Sequence, residues 1–201
     1  MSVTLKASFQ LTPAKGLSIR ARIENAGPTD ILVLDRLWKL DASSKRALDG
    51  EHVYRFERDG SLRLLLGPAP LPRLKSALYR NVPMATRVPA RSALDRDLTI
   101  VAPLTEYSVY FPETDPRHHE TKSDGTVHLI IDYLMADAKL VTHPSPLDAN
   151  AVEIENPVLA LAGSVRLVQS GTVSAFEVIR RTDEFDRLAL PGEAQEPLKL
   201  Q

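Results

Sequence analysis

The sequence TVHLIIDYL, residues 126–134, contains six apolar residues among nine and follows directly on the pair Asp124-Gly125. A short apolar run that begins after a turn signal is typical of a strand buried in a sheet. Asp-Gly favours a tight turn because glycine adopts positive φ without steric cost. This segment therefore predicts a buried strand that enters the core from a turn.

Period-two patterning recurs towards the amino terminus. VTLKASFQL, residues 3–11, alternates apolar with mostly polar residues, and LSIRARIEN, residues 17–25, does so more strictly. Alternation of this kind predicts strands buried on one face. ILVLDRLWKL, residues 31–40, is apolar on both faces and includes the single tryptophan, which predicts a central strand. The expected core comprises Leu5, Phe9, Ile19, Ile23, Val33, Trp38, Leu129 and Ile131.

Two β-hairpins are predicted from turn chemistry. HVYRFE and SLRLLLG, residues 52–57 and 61–67, are separated by a segment that contains Asp59-Gly60. SVRLVQSGTVSAFEVIR, residues 164–180, is predicted to turn at Ser170 and Gly171. Further strands are expected in ALDRDLTIVAPL and EYSVYF, and DEFDRLAL is the one segment with a helical pattern, residues 93–104, 106–111 and 183–190 respectively.

About ten short strands with almost no helical periodicity predict an all-β, antiparallel sandwich of two layers. The order of an alternating strand, a strand bearing Trp38, and the corner Asp124-Gly125-Thr126-Val127-His128 before a long apolar strand resembles immunoglobulin-like and fibronectin type III-like domains. That resemblance implies an immunoglobulin-like β-sandwich. It also implies a binding or spacer role.

We expect one sandwich domain over residues 1–181 and a C-terminal tail over 182–201 with a short helix. The chain is about twice as long as the roughly 100 residues of a minimal immunoglobulin-like domain. The proline-rich segments 67–90 and 138–157 are therefore expected to be long insertions that cross the sandwich edge, not central strands.

Three of the five histidines, His118, His119 and His128, lie just before or within the strong strand. Adjacent histidines on an extended chain point in opposite directions, and the spacing matches no known metal motif. We therefore predict a solvated loop, with no metal ligand, no cofactor and no cofactor-binding residue. The alternative that the residues leave open is a small-ligand or metal site formed by His118, His119 and His128.

No catalytic motif is present. The chain lacks cysteine, and no Gly-x-Ser-x-Gly, Ser-x-x-Lys or glycine-rich phosphate-binding pattern occurs. We predict a protein that is not an enzyme and has no catalytic residue. A hydrolase without a familiar motif is the alternative left open, and it requires a nucleophile and a base within hydrogen-bonding distance.

The charge is balanced overall but uneven along the chain. The formal net charge is -1, which favours neither nucleic acid nor a membrane as partner. Residues 73–96 contain six basic residues and one acid, whereas residues 97–137 contain eight acids and two bases. We expect these blocks to neutralise each other within the fold or across a homodimer.

These observations favour a soluble, non-catalytic protein-interaction or scaffold module whose protein partner is unknown. The amino terminus reads as a strand and not as a basic start followed by an apolar run, so we expect a cytoplasmic protein. Removal of a leader would instead place it in the periplasm or outside the cell. Open sheet edges make a homodimer the expected state.

Overall fold

A computed structural model describes residues 2–70, 81–110, 119–137 and 140–180. Almost all regular structure in these ranges is β. The elements are β1 (Val3–Thr12), β2 (Gly16–Asn25), β3 (Ile31–Arg36), β4 (Trp38–Leu40), β5 (Arg46–Leu48), β6 (Tyr54–Arg58), β7 (Ser61–Leu66), β8 (Met84–Val88), β9 (Ser92–Ile100), β10 (Leu104–Thr105), β11 (His119–Ser123), β12 (Thr126–Met135), β13 (Thr142–Pro144), β14 (Val152–Ile154), α1 (Pro157–Ala160), a 3₁₀ turn (Leu161–Gly163), β15 (Val165–Thr172) and β16 (Phe176–Arg180). The predicted all-β class is confirmed.

The amino-terminal layer is a three-stranded antiparallel sheet in the order β1-β2-β9. Leu17, Ile19 and Ile23 on β2 are buried. The polar residues that alternate with them, Ser18, Arg20 and Arg22, are exposed. The strands predicted over residues 3–11 and 17–25 are therefore confirmed. The apolar face of this sheet packs against the second layer, since a sheet that is apolar on one face must cover that face.

The second layer is a larger sheet organised around β12. Strand β15 pairs with one edge of β12 over residues 126–133. The opposite edge pairs first with β7, over 127–131, and then with β3, over 133–135. The sheet continues outward from β7 to β6, and from β3 through β8 and β14 to β13. The strand predicted over residues 126–134 therefore connects both arms of the sheet.

Both faces of this sheet are buried. One face meets the amino-terminal sheet in a core that includes Ile23, Val33, Leu129 and Ile131. The other face carries two separate apolar clusters, one around Tyr54, Phe56 and Ile130 and one around Leu32, Leu34 and Leu134. Alternate residues of β12 therefore enter different cores, which is why the segment is apolar at both parities.

The prediction of wholly antiparallel sheets is wrong at two places. Strands β7 and β12 pair in parallel, and so do β10 and β16 in a small separate sheet with the order β10-β16-β11. Parallel neighbours need a crossover and cannot be joined by a tight turn. Local turn signals in the sequence therefore do not reveal these two pairings.

The hairpin predicted over residues 164–180 is also wrong. Strand β15 runs straight through Ser170 and Gly171, and it pairs with β12, whereas β16 joins the small sheet. The glycine serves close packing and not a turn: a Cβ at Gly171 would lie 2.4 Å from Cδ2 of Phe9 on β1. Gly171, which the sequence pattern predicted to lie in a turn, is a point where β15 of the second layer contacts β1 of the amino-terminal layer.

The placement of Trp38 in the core is wrong as well. The strand predicted over residues 31–40 ends at Arg36 after an irregularity in its pairing, and Trp38 begins a two-stranded hairpin of β4 and β5. Its ring is half-buried, its Nε1 donates to the carbonyl of Val82 at 2.8 Å, and the Arg46 guanidinium lies 4.5 Å from the ring centroid. The indole therefore packs on the surface hairpin of β4 and β5 and joins it to the chain before β8. Leu5 and Phe9 are half-buried and pack against the core.

Other expectations are met in part. Of the strand expected in EYSVYF, the described residues 106–110 form no regular strand, although Tyr107 makes an isolated bridge to Arg55. The long insertions predicted at 67–90 and 138–157 are not confirmed. The first segment contains β8, which pairs between β3 and β14 in the larger sheet, and the second contains the short strands β13 and β14. The C-terminal tail, its expected helix and residues 71–80 lie outside the described residues.

One buried ion pair joins the two layers. Arg96 of β9 extends from the amino-terminal sheet, and its Nε donates to the carboxylate of Asp35, whose side chain is fully buried. A second guanidinium nitrogen of Arg96 donates to Thr86 Oγ1 at 2.8 Å. Ala7 and Ala21 occupy the paired positions on β1 and β2. Small neighbours leave room for the long arginine side chain on the apolar face.

Replacing Arg96 with Met is expected to lower the free energy of unfolding by about 3 kcal/mol, because it leaves the buried Asp35 carboxylate without its counter-charge. Urea unfolding followed by tryptophan fluorescence measures the change. Arg20→Met is the matched control, since that exposed pair with Asp97 spans 3.9 Å, and it should cost less than about 0.5 kcal/mol. Equal losses in the two variants would contradict the structural role of the Arg96 pair.

Candidate functional site

The structure separates the three histidines considered for a metal site. His118 lies outside the described residues, and His119 belongs to β11, where its backbone position is paired with Arg180 of β16. His128 lies on β12 in the larger sheet. Within the described parts of the chain, no group of three or more histidine or carboxylate side chains is placed to hold a metal ion.

His128 has a partner that the sequence did not indicate. Its Nδ1 lies 2.7 Å from Ser170 Oγ, because β12 and β15 place the two residues opposite each other. Partial burial and the nearby Arg63 guanidinium lower the pKa of His128, while the Asp124 carboxylate opposes them. The imidazole is therefore biased towards its neutral form. The incorrect hairpin prediction for residues 164–180 concealed this contact.

A serine in contact with a neutral imidazole is the first element of a nucleophilic site, so the geometry needs to be tested against that chemistry. The serine contacts Nδ1, and the contact is solvent-exposed. In a Ser-His-Asp triad the serine hydrogen-bonds Nε2, Nδ1 is held by the acid, and donors for the oxyanion line a sheltered site. The pair fits a cross-strand contact on the sheet surface better than a nucleophile and its base.

Buried charge is concentrated where β6 meets the small sheet. Glu106 is fully buried, and its carboxylate accepts a 2.7 Å hydrogen bond from the backbone N–H of Glu57. Arg180 Nε lies 3.1 Å from the Glu57 carboxylate and 4.0 Å from that of Glu106. Two carboxylates thus share one guanidinium. The guanidinium offsets part of the charge of the two acids and links β6 to β16, which is a structural use of paired acids.

A second buried polar group lies beside that cluster. Tyr107 donates its hydroxyl hydrogen to the Asp49 carboxylate at 2.5 Å, and the Arg55 guanidinium lies 5.1 Å from the tyrosine ring centroid. Burial and the Asp49 carboxylate raise the pKa of Tyr107 far above its ordinary value. The hydroxyl therefore stays protonated and acts as a hydrogen-bond donor that holds the chain after β10 against the segment between β5 and β6.

The two charge blocks of the sequence do not pair with each other among the described residues. Arg87 and Arg96 of the basic block contact Asp30 and Asp35. From the acidic block, Asp97 lies near Arg20, and Asp132 accepts two hydrogen bonds from Arg166. The expectation that the blocks neutralise each other across the fold is therefore wrong for these residues. These four residues pair instead with parts of the chain outside both blocks.

The surface of the amino-terminal sheet that faces away from the core has a shallow depression of about 440 Å³ near Lys6, Arg20 and Arg22. These three cations are matched by three acids on the same face, Glu24, Asp95 and Asp97. Arg22 donates to Asp95 at 2.8 and 2.9 Å. A surface whose charges are paired in this way offers no net attraction to a charged ligand.

Strand β15 presents an open edge. Among the described residues it is hydrogen-bonded to β12 alone, so the backbone groups along its other edge lack a strand partner. Its side chains include two of the more exposed large apolar residues of the chain, Val165 at 43% and Val168 at 56%. An unpaired strand edge that carries apolar side chains is a template for another strand.

A groove of about 530 Å³ lies at the beginning of β15. Leu134 is buried beneath it, and Met135, Leu140 and Ala160 are half-buried. These four residues and the exposed Val141 make its apolar surface. Exposed lining residues include Asp137, Val141, Glu155, Asn156 and Gly163. Gly163 is two residues before Val165 in the sequence. We call the open edge of β15, with its exposed Val165 and Val168, the β15 surface.

Comparison of the chain with protein-family models, curated proteins and solved structures gives no match. Within the described ranges, no helix combines the length and the apolar character needed to cross a membrane.

The lowered pKa of His128 predicts a pH dependence of stability. The unfolded chain takes up its proton near pH 6.5, before the folded chain does, so this contribution to stability is present above pH 6.5 and is lost as pH falls through the lower folded pKa. His128→Asn should therefore lose less stability than the native protein between pH 7.5 and pH 5.

Urea unfolding at several pH values between these limits measures the difference, with His143→Asn as the control for removal of an exposed histidine. Parallel pH profiles for the native protein and His128→Asn would contradict the assignment of this effect to His128.

Proposed function

We propose that this protein is a non-catalytic protein-binding module that accepts an extended segment of a partner as an additional strand along β15. The observation that carries the proposal is the open edge of β15 with the exposed Val165 and Val168. Backbone hydrogen bonds to an edge strand supply affinity, and alternate side chains of the added strand supply selectivity. A β-sandwich of immunoglobulin-like type, cytoplasmic and in one domain over residues 1–181, is the scaffold that we propose for this role.

Buried charge supports the same proposal. The acids with the deepest burial, such as Asp35, Glu106 and Asp132, are each placed against an arginine. Their chemistry is used in holding strands together. A catalytic acid or base is instead expected to face a site that a substrate enters.

The remaining alternatives from the sequence rest on His128. A small-ligand or metal site would also need His118 and His119, and the chemistry of a motif-free hydrolase would need Ser170 as nucleophile. The exposed Nδ1 contact between His128 and Ser170 favours these functions less than the open edge of β15 favours strand addition.

The proposal predicts that Val168→Lys removes partner binding, because a lysine on an edge strand opposes the approach of a second strand. Native and variant proteins are used as bait in native lysate, and captured proteins are compared by quantitative mass spectrometry. Val101→Lys is the matched control, since Val101 is 69% exposed and lies outside the β15 surface. Partners retained by Val168→Lys but lost with Val101→Lys would contradict the proposal.

A homodimer is the second candidate, and the position of β1 favours it. β1 is the edge strand of the amino-terminal sheet, and Phe9 on β1 meets Gly171 on β15, so two open edges lie next to each other in the two layers. A two-fold axis along such a pair of edges would join two copies through the same surface on each.

We expect sedimentation velocity at micromolar concentration to show a dimer that Val168→Lys converts to a monomer. Because Arg87, Arg96, Asp97 and Asp132 of the two charge blocks form ion pairs within the chain, raising the salt concentration should leave the dimer in place. A single monomer peak for the native protein at all concentrations would reject the homodimer, and dissociation at high salt would reject the edge contact as its main source.

A further inference from the structure

We propose that, in the isolated protein, the open edge of β15 is occupied by β15 of a second copy, paired antiparallel with Val168 of each copy on the two-fold axis. This inference rests on the proposed function, because it names an occupant for the same strand-accepting edge. It goes beyond the homodimer candidate by fixing the register of the contact and its strength.

The side chains of β15 lie on two faces that its pairing with β12 identifies. Leu129 and Ile131 of β12 belong to the core shared with the amino-terminal sheet, and they pair with Gln169 and Leu167 of β15. Residues directly opposite each other in an antiparallel pair project from the same face of the sheet. The odd-numbered residues of β15 therefore face the amino-terminal sheet, and Val168 projects from the opposite face.

The core is less completely covered on the side of the molecule where β15 lies. Phe9 on β1 is half-buried, whereas its neighbour Ile19 on β2 is 1% exposed. The other apolar residues of β1 are half-buried in the same way and pack against the core, namely Val3, Leu5, Ala7 and Leu11. In the described parts of the chain, β1 and β15 each pair along one edge only, and Phe9 lies against Gly171. A second copy at this side would therefore meet apolar side chains from both layers.

Two-fold symmetry limits the ways in which two β15 strands can pair. A two-fold axis perpendicular to the sheet keeps each face on its own side, so a residue can oppose only residues of its own parity. Pairing centred on Val168 sets Val168 against its own copy and Val165 against Gly171 of the second copy. Gly171 carries the Phe9 ring against it, so both exposed valines of β15 gain an apolar neighbour.

The adjacent registers accommodate these two valines less well. Pairing centred on Gln169 would set Val168 against Ser170, and Val165 would lie beyond the end of β15 in the second copy. Pairing centred on Leu167 would shorten the paired segment. The apolar contacts of Val165 and Val168 therefore favour the register centred on Val168.

The size of the contact predicts a dimer that dissociates readily. Residues 165–171 pair in this register, a length of about 23 Å at roughly 3.3 Å per residue. Two layers about 10 Å apart are about 20 Å thick with their side chains. The contact therefore buries about 500 Å² per copy and about 1,000 Å² in total, which is near the lower limit of specific interfaces. A dimer of this kind leaves the edge accessible to a segment of another protein.

Single cysteine variants test the register directly, because the chain contains no cysteine. Val168→Cys, Gln169→Cys and Val101→Cys of the full chain are oxidised with glutathione disulfide at micromolar concentration, and covalent dimers are quantified over time on non-reducing gels. A short bismaleimide gives the same comparison without the strict geometry of a disulfide. Circular dichroism of each variant verifies that the β structure is retained.

Val168→Cys should form covalent dimers at least about tenfold faster than Val101→Cys, because the two-fold axis holds its thiols at a high effective concentration. Val101 is the matched control, since it is exposed and lies outside the β15 surface. Gln169→Cys should also react slowly, because Gln169 opposes Leu167 of the second copy.

Equal rates for Val168→Cys and Val101→Cys with both reagents would overturn the inference, and so would faster reaction of Gln169→Cys than of Val168→Cys. These outcomes leave the proposed function standing, because addition of a strand from another protein does not require a dimer. Capture of partners from lysate that does not depend on Val168 would overturn the proposed function, whatever the cross-linking rates.

Discussion

The fold depends on the hydrogen-bonding capacity of β12. This strand of ten residues pairs with β15 along one edge and with two further strands, β7 and β3, along the other. The divided edge requires β7 and β3 to separate beyond Ile131, and each then begins an arm of the sheet. Because residues of both parities on β12 are buried, a polar substitution at Leu129 or Ile130 would disturb a different core in each case. The remaining strands extend the two arms of this sheet or, in the amino-terminal layer, cover one of its faces.

Local patterns in the sequence predicted strands better than they predicted partners. The alternation over 17–25 gave β2 correctly, and Asp59-Gly60 gave the β6–β7 turn, where both residues have positive φ, 53° and 79°. Pairing between β12 and β15 joins positions about 40 residues apart in sequence, as in the contact between His128 and Ser170, and no local period encodes it. Trp38 was misplaced for a related reason, since β3 ends at a pairing irregularity that hydrophobicity alone does not mark. The candidate site was accordingly beyond sequence reasoning, because its edge was predicted as half of a hairpin.

The distribution of buried charge explains how a mostly apolar sandwich holds several acids. Asp35, Asp132 and Glu57 each lie on a strand of the larger sheet, and each is met by an arginine from a different strand. Replacing one member of such a pair costs more than the pair contributes, because the remaining charge stays buried. These pairs therefore favour one registry of strands over others. They also use most of the deeply buried acids in structural contacts, so these acids are poor candidates for reactive groups.

Edge strands in soluble proteins are commonly blocked by lysine, proline or a bulge. Strand β15 contains no proline or lysine, and its pairing with β12 is continuous over eight positions without a bulge. Its one cation, Arg166, does not block the edge, because its guanidinium is held by two hydrogen bonds to Asp132 on the neighbouring strand. That contact leaves Val168 as the exposed residue near the middle of the strand. An edge that lacks each of these protections carries a risk of unspecific pairing, and such a risk is balanced when the edge has an occupant.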